Sequence, residues 1–444
     1  MKFHITTFGC QMNVCDSDWI ERSLIARGWQ SVPEDKAQVF LINTCSVREK
    51  PEQKVYSLLG RLQTYCHNRP GAFVGIGGCV AQQIGQDFWR RFSRVRLVFG
   101  PDGVASVPDS LDRLLVQPDL RISLLDFEDT YLEREDAPRT GKAAPRAFVN
   151  IMQGCDNFCT YCIVPYTRGR QKSRPGVRVI QECRELIDAG IKEITLLGQN
   201  VNSYGLDTGG DGTGFAELLE KICSLPGLRR LRFTTSHPKD LAPEVIEAFR
   251  RFPALCPGLH LPLQSGSNRI LKHMNRKYTR ESYLQLIQGL RLARPDIVLS
   301  TDIIVGFPGE TEADFRQTLE LVQTVGFDSS FSFKYSDRPG VRAALFRNKI
   351  PEADKSRRLD LLHQEQDRLT RKSLQGLVGR RLEVLVEGPS SKALPGGEQS
   401  WMGREPGGRI VNFSDPGQDL TGALIRVKIV DAKKHSVFGE VDHT

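Results

Sequence analysis

Residues 147–162 read Ala-Phe-Val-Asn-Ile-Met-Gln-Gly-Cys-Asp-Asn-Phe-Cys-Thr-Tyr-Cys. An apolar run, Ala147–Gln153, passes directly into a loop carrying Cys155, Cys159 and Cys162 in the spacing C-x3-C-x2-C. The pattern of apolar run then helix returns at Glu193–Gly198, Leu231–Thr235, Leu259–Leu263, Val298–Val305 and Ser329–Tyr335. Six consecutive strand–helix units predict a curved parallel sheet, a partial or full (β/α)6 barrel. In such sheets ligands sit at the carboxyl ends of the strands. The cysteine loop follows the first of those ends.

Working outward, a second α/β pattern fills residues 1–118. Strands are expected at Lys2–Gly9, Gln38–Thr44, Ala72–Gly78 and Leu97–Phe99, with helices between them, the first over about Asp16–Arg27. Apolar strands separated by helices predict a parallel sheet. Residues 119–144 contain the acidic stretch Asp126–Asp136 and read as a solvated linker. The barrel then occupies 145–373, ending in a charged helix over about Glu352–Lys372. Residues 374–444 turn rich in Gly and Pro around short β runs such as Leu382–Val386 and Leu424–Val430, which predicts a small β-barrel.

The 444 residues suit roughly three domains. With 39% hydrophobic and 26% charged residues the chain is globular and not disordered. No run of about 18 apolar residues appears, and Met1–Thr7 has no signal-peptide core, so a cytoplasmic protein without a membrane partner is expected. In that compartment the eleven cysteines favour metal or catalytic roles over disulfides. The net charge of +8 permits an anionic partner such as nucleic acid.

Three thiols in the Cys155–Cys162 loop are one short of a closed zinc site. They suit a 4Fe–4S cluster with one iron left free of protein. The alternatives are zinc completed by a remote histidine, or scattered buried thiols. A second trio is spread through the N-terminal domain. Cys10 ends the first strand (TTFGC), Cys45 the second (LINTC) and Cys79 the third (GIGGC). Carboxyl ends of parallel strands share one edge, so these thiols can meet. Gly9, Gly77 and Gly78 permit close backbone approach. Three buried core cysteines are the plain alternative. Cys15, Cys66, Cys183, Cys223 and Cys256 show no such placement, although Cys15 lies close to Cys10.

The C-x3-C-x2-C loop resembles the signature of radical S-adenosylmethionine (SAM) enzymes. Taken with the N-terminal trio and the final β-domain, the whole chain resembles the methylthiotransferases of that superfamily. Gly9-Cys10-Gln11-Met12-Asn13, Asn43–Glu49, Gly154–Arg170 and Gly198–Gly205 are similar to the MiaB branch, which modifies tRNA. The resemblance implies two 4Fe–4S clusters, one binding SAM and one auxiliary. It implies addition of a methylthio group to C2 of N6-isopentenyladenosine on the 3′ side of the anticodon. One SAM serves as methyl donor and one as radical source. Partners are then the tRNA anticodon stem-loop, an electron donor such as a flavodoxin or ferredoxin system, and a sulfur source or cluster-assembly proteins. The C-terminal domain resembles the RNA-binding TRAM module.

Under this reading the six cysteines are both metal ligands and catalytic. Tyr161 is expected beside the SAM adenine. Gln199, Asn200, Ser236, Gln264, Asp302 and Phe307, with their neighbours His237 and Ser265, are expected to line the SAM pocket from successive strand ends. Basic groups follow the cysteine loop (Arg168, Arg170, Lys172, Arg174), the fourth strand (Lys272, Arg276, Lys277, Arg280) and the sixth (Lys334, Arg338, Arg342). Arg168, Arg170, Lys334 and Arg404 are the expected RNA contacts, with Trp401 and Arg409 as further candidates. Tyr166 and the Phe331–Tyr335 aromatics could stack on unpaired bases. Rival readings are action on another tRNA adenosine derivative or on a protein side chain, and a metal-stabilised RNA-binding protein without catalysis.

Overall fold

The computed structural model describes residues 1–45, 49–134, 144–234, 236–390, 400–415 and 419–442. Ser46, Val47 and Arg48 of the Asn43–Glu49 stretch, and residues 135–143 of the linker, lie outside the described residues.

The N-terminal sheet has six parallel strands: β1 (Lys2–Phe8), β2 (Gln30–Ser31), β3 (Val39–Thr44), β4 (Phe73–Gly78), β5 (Val95–Phe99) and β6 (Ile122–Leu124). Their order across the sheet is β2-β1-β3-β4-β5-β6. β3 and β4 are buried along their whole length, which explains their unbroken apolar runs. The short edge strands β2 and β6 lack such runs and escape sequence reading. Because β6 pairs with β5, this domain extends past residue 118 to Leu124. Helix α1 (Gln11–Ala26) starts directly after Cys10 and not near Asp16. Helices α2 (Glu49–His67) and α3 (Cys79–Ile84) follow β3 and β4, so α3 begins at a cysteine. Where the sequence suggests one helix from the third strand to about Arg94, the chain forms α3 and then α4 (Asp87–Arg91), and α5 (Val107–Val116) follows β5.

The central domain is an open arc in two sheets. One has β7 (Arg146–Asn150), β10 (Glu193–Leu197) and β11 (Arg230–Thr234). The other has β12 (Gly258–His260), β13 (Val298–Val305) and β14 (Ser329–Lys334). All these pairings are parallel. Among the described residues an isolated parallel bridge, Leu231 to Leu255, links the start of β11 to the segment before β12. The first expected strand ends early. β8 (Met152–Gln153) separates from β7 and pairs antiparallel with β9 (Lys172–Ser173), closing the base of the cysteine loop. The short helix α6 (Val164–Thr167) lies inside that loop.

A helix over Glu352–Gln375 leads to a closed barrel of β15 (Arg381–Pro389), β16 (Ser400–Arg404), β17 (Ile410–Ser414), β18 (Leu424–Ala432) and β19 (Val437–Val441). This barrel docks on the amino ends of the central strands. Arg146, opening β7, pairs with Glu387 at 2.9 Å. Arg230, opening β11, donates to the carbonyls of Arg404 (2.8 Å) and Glu383 (2.9 Å). Asp328, just before β14, pairs with Arg409 at 2.8 Å. The cysteines sit at the opposite, carboxyl ends.

Candidate active site

The N-terminal trio does assemble. Cys45 donates from its thiol toward both Cys10 and Cys79. That bonding, opposed by burial and aided by Arg168, draws Cys10 down to about 6 and Cys79 down to about 5, while Cys45 is raised and keeps its proton. The local sequence arranges this. Asn13 Oδ1 accepts from the Cys10 amide and thiol, each at 3.4 Å. Asn13 Nδ2 donates to Asn43 Oδ1 at 3.0 Å, and Asn43 donates back to the Asn13 carbonyl (3.0 Å) and to Ser17 Oγ (3.1 Å). A buried amide lattice thus ties the start of α1 to the end of β3, holding Cys10 over Cys45. Gly9 has no room for a side chain, since a Cβ there would lie 2.8 Å from that of Cys45. Gly78, at φ +86°, turns the chain so that Cys79 can open α3.

The central trio lies on the loop closed by β8 and β9. The Cys162 amide donates to the Cys159 carbonyl at 2.9 Å. Asn157 donates to Cys155 Sγ at 3.6 Å. Arg276 donates to Cys159 Sγ at 3.3 Å and to the Pro262 carbonyl at 3.1 Å. Burial raises Cys155 and pushes Cys162 up to about 12. The two trios adjoin. α3, which starts at Cys79, packs against α6, which starts two residues after Cys162. Arg168, at the end of α6, reaches Met12 Sδ at 3.8 Å, and Gln199 Nε2 points at the same sulfur.

Polar groups collect around the central trio at the strand ends. Gln199 Oε1 accepts from the Gly154 amide at 2.6 Å. Asn200 donates to Asp240 at 2.7 Å, and Asn157 to the same carboxylate oxygen at 3.5 Å. Asn200 Oδ1, both side-chain polar atoms of Asn202, Ser236 Oγ and His237 Nε2 are buried without a hydrogen-bond partner. Burial, then the Arg276 charge, pushes His237 down to about 2. Its Nδ1 accepts from the Lys239 amide at 3.2 Å, so the proton sits on the unpartnered Nε2. Buried polar atoms left unpaired mark where a polar ligand would be held. Gln264, at φ +66°, pairs through its backbone with Asp302 and Ile304. Asp302 faces His260 Nε2 at 3.3 Å.

Several expected contacts lie elsewhere. Phe307 is wholly buried in an apolar cluster with Ile270, Met274 and Tyr335, and meets Tyr161 edge-on at 6.5 Å. It backs Tyr161 from within that cluster. Arg168, expected at the surface, is buried beside the N-terminal thiols. Lys172 and Arg174 are taken up by Asp102, Glu133 and Glu182 at the domain junction, and Arg276 is buried. Arg404 pairs with Glu387 at 2.8 Å and with the Gly408 carbonyl at 2.9 Å. Trp401 is core, its indole donating to the Asp415 carbonyl at 3.1 Å. Lys334 pairs with Glu352. Arg170 does reach solvent. It pairs with Asp156 at 2.9 Å and lies 5.1 Å above Phe158, whose ring meets Tyr166 at 6.3 Å. Phe158 and Tyr166 are both exposed, and Phe158 holds a left-handed backbone at φ +44°.

Asn13, Asn43, Asp16 and Asp240 were missed by sequence reading. Two carry a signal: Asn13 is the third residue after Cys10 and Asn43 the second before Cys45. Asp16 and Asp240 meet their partners only through the fold. Cys15 donates to the Phe148 carbonyl at 3.5 Å, and burial pushes it up to about 12. It belongs to the junction and not to the trio. The described part of the linker is also fastened down, through Glu128 to Asp102, Glu133 to Arg174 and Arg134 to Asp16.

Known proteins share this architecture. The model of the Radical SAM superfamily matches residues 149–322, that of Uncharacterized protein family UPF0004 residues 2–100, and that of the TRAM domain residues 375–441. The chain is 58% identical over 440 residues to the tRNA-2-methylthio-N(6)-dimethylallyladenosine synthase of Nitratidesulfovibrio vulgaris, covering 99% of this chain and 98% of the relative. It is 45% identical over 444 residues to the protein of that name from Syntrophomonas wolfei, with the same coverage. Among solved structures, the radical SAM methyltransferase TsrM from Kitasatospora setae aligns with a TM-score of 0.56 at 15% identity, covering 78% of this chain and 74% of that one. That likeness is one of fold.

Proposed function

The chain belongs to the family of tRNA-2-methylthio-N(6)-dimethylallyladenosine synthases, and from that premise we propose how its two cysteine trios divide the work. It is a radical SAM methylthiotransferase, placing a methylthio group on C2 of N6-isopentenyladenosine beside the anticodon of tRNA. It uses an iron–sulfur cluster and SAM. Cys155, Cys159 and Cys162 would hold the SAM-binding 4Fe–4S cluster, and Cys10, Cys45 and Cys79 a second, auxiliary one. The donor sets suit this: three thiols apiece, each leaving one iron for a non-protein ligand. When bound, the first cluster with SAM would supply a radical able to remove the C2 hydrogen, and the second would present the sulfur.

The residues serve that chemistry by placement. Asn200, Asn202, Ser236 and His237 offer the unpaired buried atoms that SAM's ribose and methionine portions would satisfy. Tyr161, braced by Phe307, would offer a face for the adenine. Gln199 and Met12 lie between the trios, where the target base would enter. Phe158, Tyr166 and Arg170 form an exposed stacking surface at the rim for neighbouring unpaired bases.

The observation that carries this reading is the packing of the helix opened by Cys79 on the helix that follows Cys162. It lets two thiol trios serve one base. Anaerobic iron counting tests it: about eight irons per chain are expected for two four-iron clusters, falling by half in a Cys10→Ala, Cys45→Ala, Cys79→Ala chain. An unchanged count in that chain would refute the auxiliary site. No helix among the described residues is long and apolar enough to cross a membrane. The reading places the enzyme in the cytoplasm, with a flavodoxin- or ferredoxin-type electron donor and a sulfur source or cluster-assembly partner.

A further inference from the structure

The charges behind the N-terminal trio do not balance. Asp16 pairs with Arg134 at 2.6 Å and lies 3.9 Å from Arg168 Nη2. One buried carboxylate therefore faces two guanidinium groups. The Arg168 side chain is only 4% exposed. Its Nη1 meets the soft Met12 sulfur, and its Nη2 is buried with no hydrogen-bond partner. A buried cation without full pairing is costly to keep. The thiols of Cys79, Cys10 and Cys45 also face it, and Cys79 takes a side-chain hydrogen bond from the guanidinium. Yet Arg168 does not belong to the domain that carries those thiols. It closes α6, six residues beyond Cys162, and so arrives from the central domain.

We propose that Arg168 is a positioning residue that the central domain lends to the N-terminal site, where its guanidinium donates to and neutralises a three-thiolate iron–sulfur group on Cys10, Cys45 and Cys79. This rests on the assignment of that trio to the auxiliary cluster. Three thiolates leave such a group net negative, and a cation beside it favours assembly and eases reduction, because charge and hydrogen bonds to sulfur set a cluster's potential. The N-terminal site is then complete only while the two domains are docked. The unpaired Nη2 is the donor left for the cluster.

The test uses the full chain carrying Cys155→Ala, Cys159→Ala and Cys162→Ala, reconstituted anaerobically, so that only the N-terminal group is observed. Iron content and midpoint potential, followed by electron paramagnetic resonance, are compared for Arg168, R168K and R168M, with folding checked by circular dichroism. R168K, which keeps the charge, should retain the iron and stay near the parent midpoint. R168M should either lose iron that R168K keeps, or shift the reduction equilibrium at least tenfold toward the oxidised form, a drop of 59 mV for one electron. R168M matching the parent in both readouts overturns the proposal. So does identical behaviour of R168K and R168M, which would mean packing and not charge. A parent chain that binds no iron overturns the cluster assignment itself, and the proposal with it.

Discussion

Lys172→Met should loosen the N-terminal domain from the central one. Lys172 Nζ lies 2.7 Å from Asp102 Oδ2 and donates to the Glu128 carbonyl at 3.0 Å. Their side chains are 3% and 7% exposed, so solvent screens little of the pair. Methionine fills a similar volume, and the loss is therefore electrostatic. Removing one partner of a buried pair costs about 3–5 kcal/mol, because the other charge stays behind. Asp102 keeps two donors, the Glu128 amide at 3.0 Å and Gln153 Nε2. The lower end, about 3 kcal/mol, is expected. With a urea slope of about 2 kcal/mol/M the midpoint should fall by about 1.5 M. Tryptophan fluorescence suits the assay, since Trp19, Trp29 and Trp89 lie in the N-terminal domain and only Trp401 elsewhere. Asp102→Asn in the Lys172→Met background should recover at least half the loss, as a coupled pair does. A midpoint within about 0.3 M of the parent would show the pair contributes no more than an exposed one. The Lys172–Asp102 pair would then not be what holds one domain against the other.

On the proposed assignment, Cys155→Ala should abolish reductive cleavage of SAM, whereas Cys10→Ala should leave cleavage intact and stop sulfur insertion. Chromatographic assay of 5′-deoxyadenosine and mass spectrometry of the tRNA check both, and full thiomethylation by Cys10→Ala would remove the auxiliary trio from the reaction. Arg170→Glu should weaken tRNA binding and lower the slope of affinity against salt by about one; equal affinity at low salt excludes Arg170 as a contact. Trp401→Ala should destabilise the C-terminal barrel by about 3–5 kcal/mol through the cavity it leaves, measured by thermal unfolding; a loss of RNA affinity with no change in stability would reverse that role. Cys15, pushed up to about 12, stays protonated at pH 8 and should resist iodoacetamide in the folded chain; rapid labelling seen by peptide mass mapping would contradict its place at the junction.

The meeting of Cys10, Cys45 and Cys79 was legible because their positions follow from topology. Each N-terminal cysteine follows the end of a strand readable from its apolar run, and parallel strands put those ends on one edge. The edge strands β2 and β6 were not legible, being two and three residues long. Charge proved the poorest guide. The run Arg168-Gly169-Arg170-Gln171-Lys172-Ser173-Arg174 looks like one basic face, but β9 begins at Lys172 and pairs with β8. That pairing directs Lys172 and Arg174 into the domain junction, while the end of α6 sends Arg168 to the thiols and leaves Arg170 outside. A sequence records the charges but not which of them meets a carboxylate from a distant segment. Asp102 and Glu133, which do the pairing, stand 70 and 41 residues away.

The docking of the small barrel constrains how RNA can be held. Its contacts with Arg146, Arg230 and Asp328 are all at the amino ends of the central strands, whereas Phe158, Tyr166 and Arg170 sit on the loop at the carboxyl ends. The longest strand between them, Val298–Val305, has eight residues, about 26 Å at 3.3 Å per residue. An RNA engaged at both places must run at least that far along the molecule, which a hairpin stem does and a lone base does not. Arg404 and Arg409 are committed to Glu387 and Asp328, so on the proposed reading the barrel would offer RNA its face away from the strands. The target base and the helical stem would then be gripped by separate domains. A stem-only RNA should still bind the barrel, and a loop-only oligonucleotide should bind weakly, without the salt dependence that backbone contacts confer.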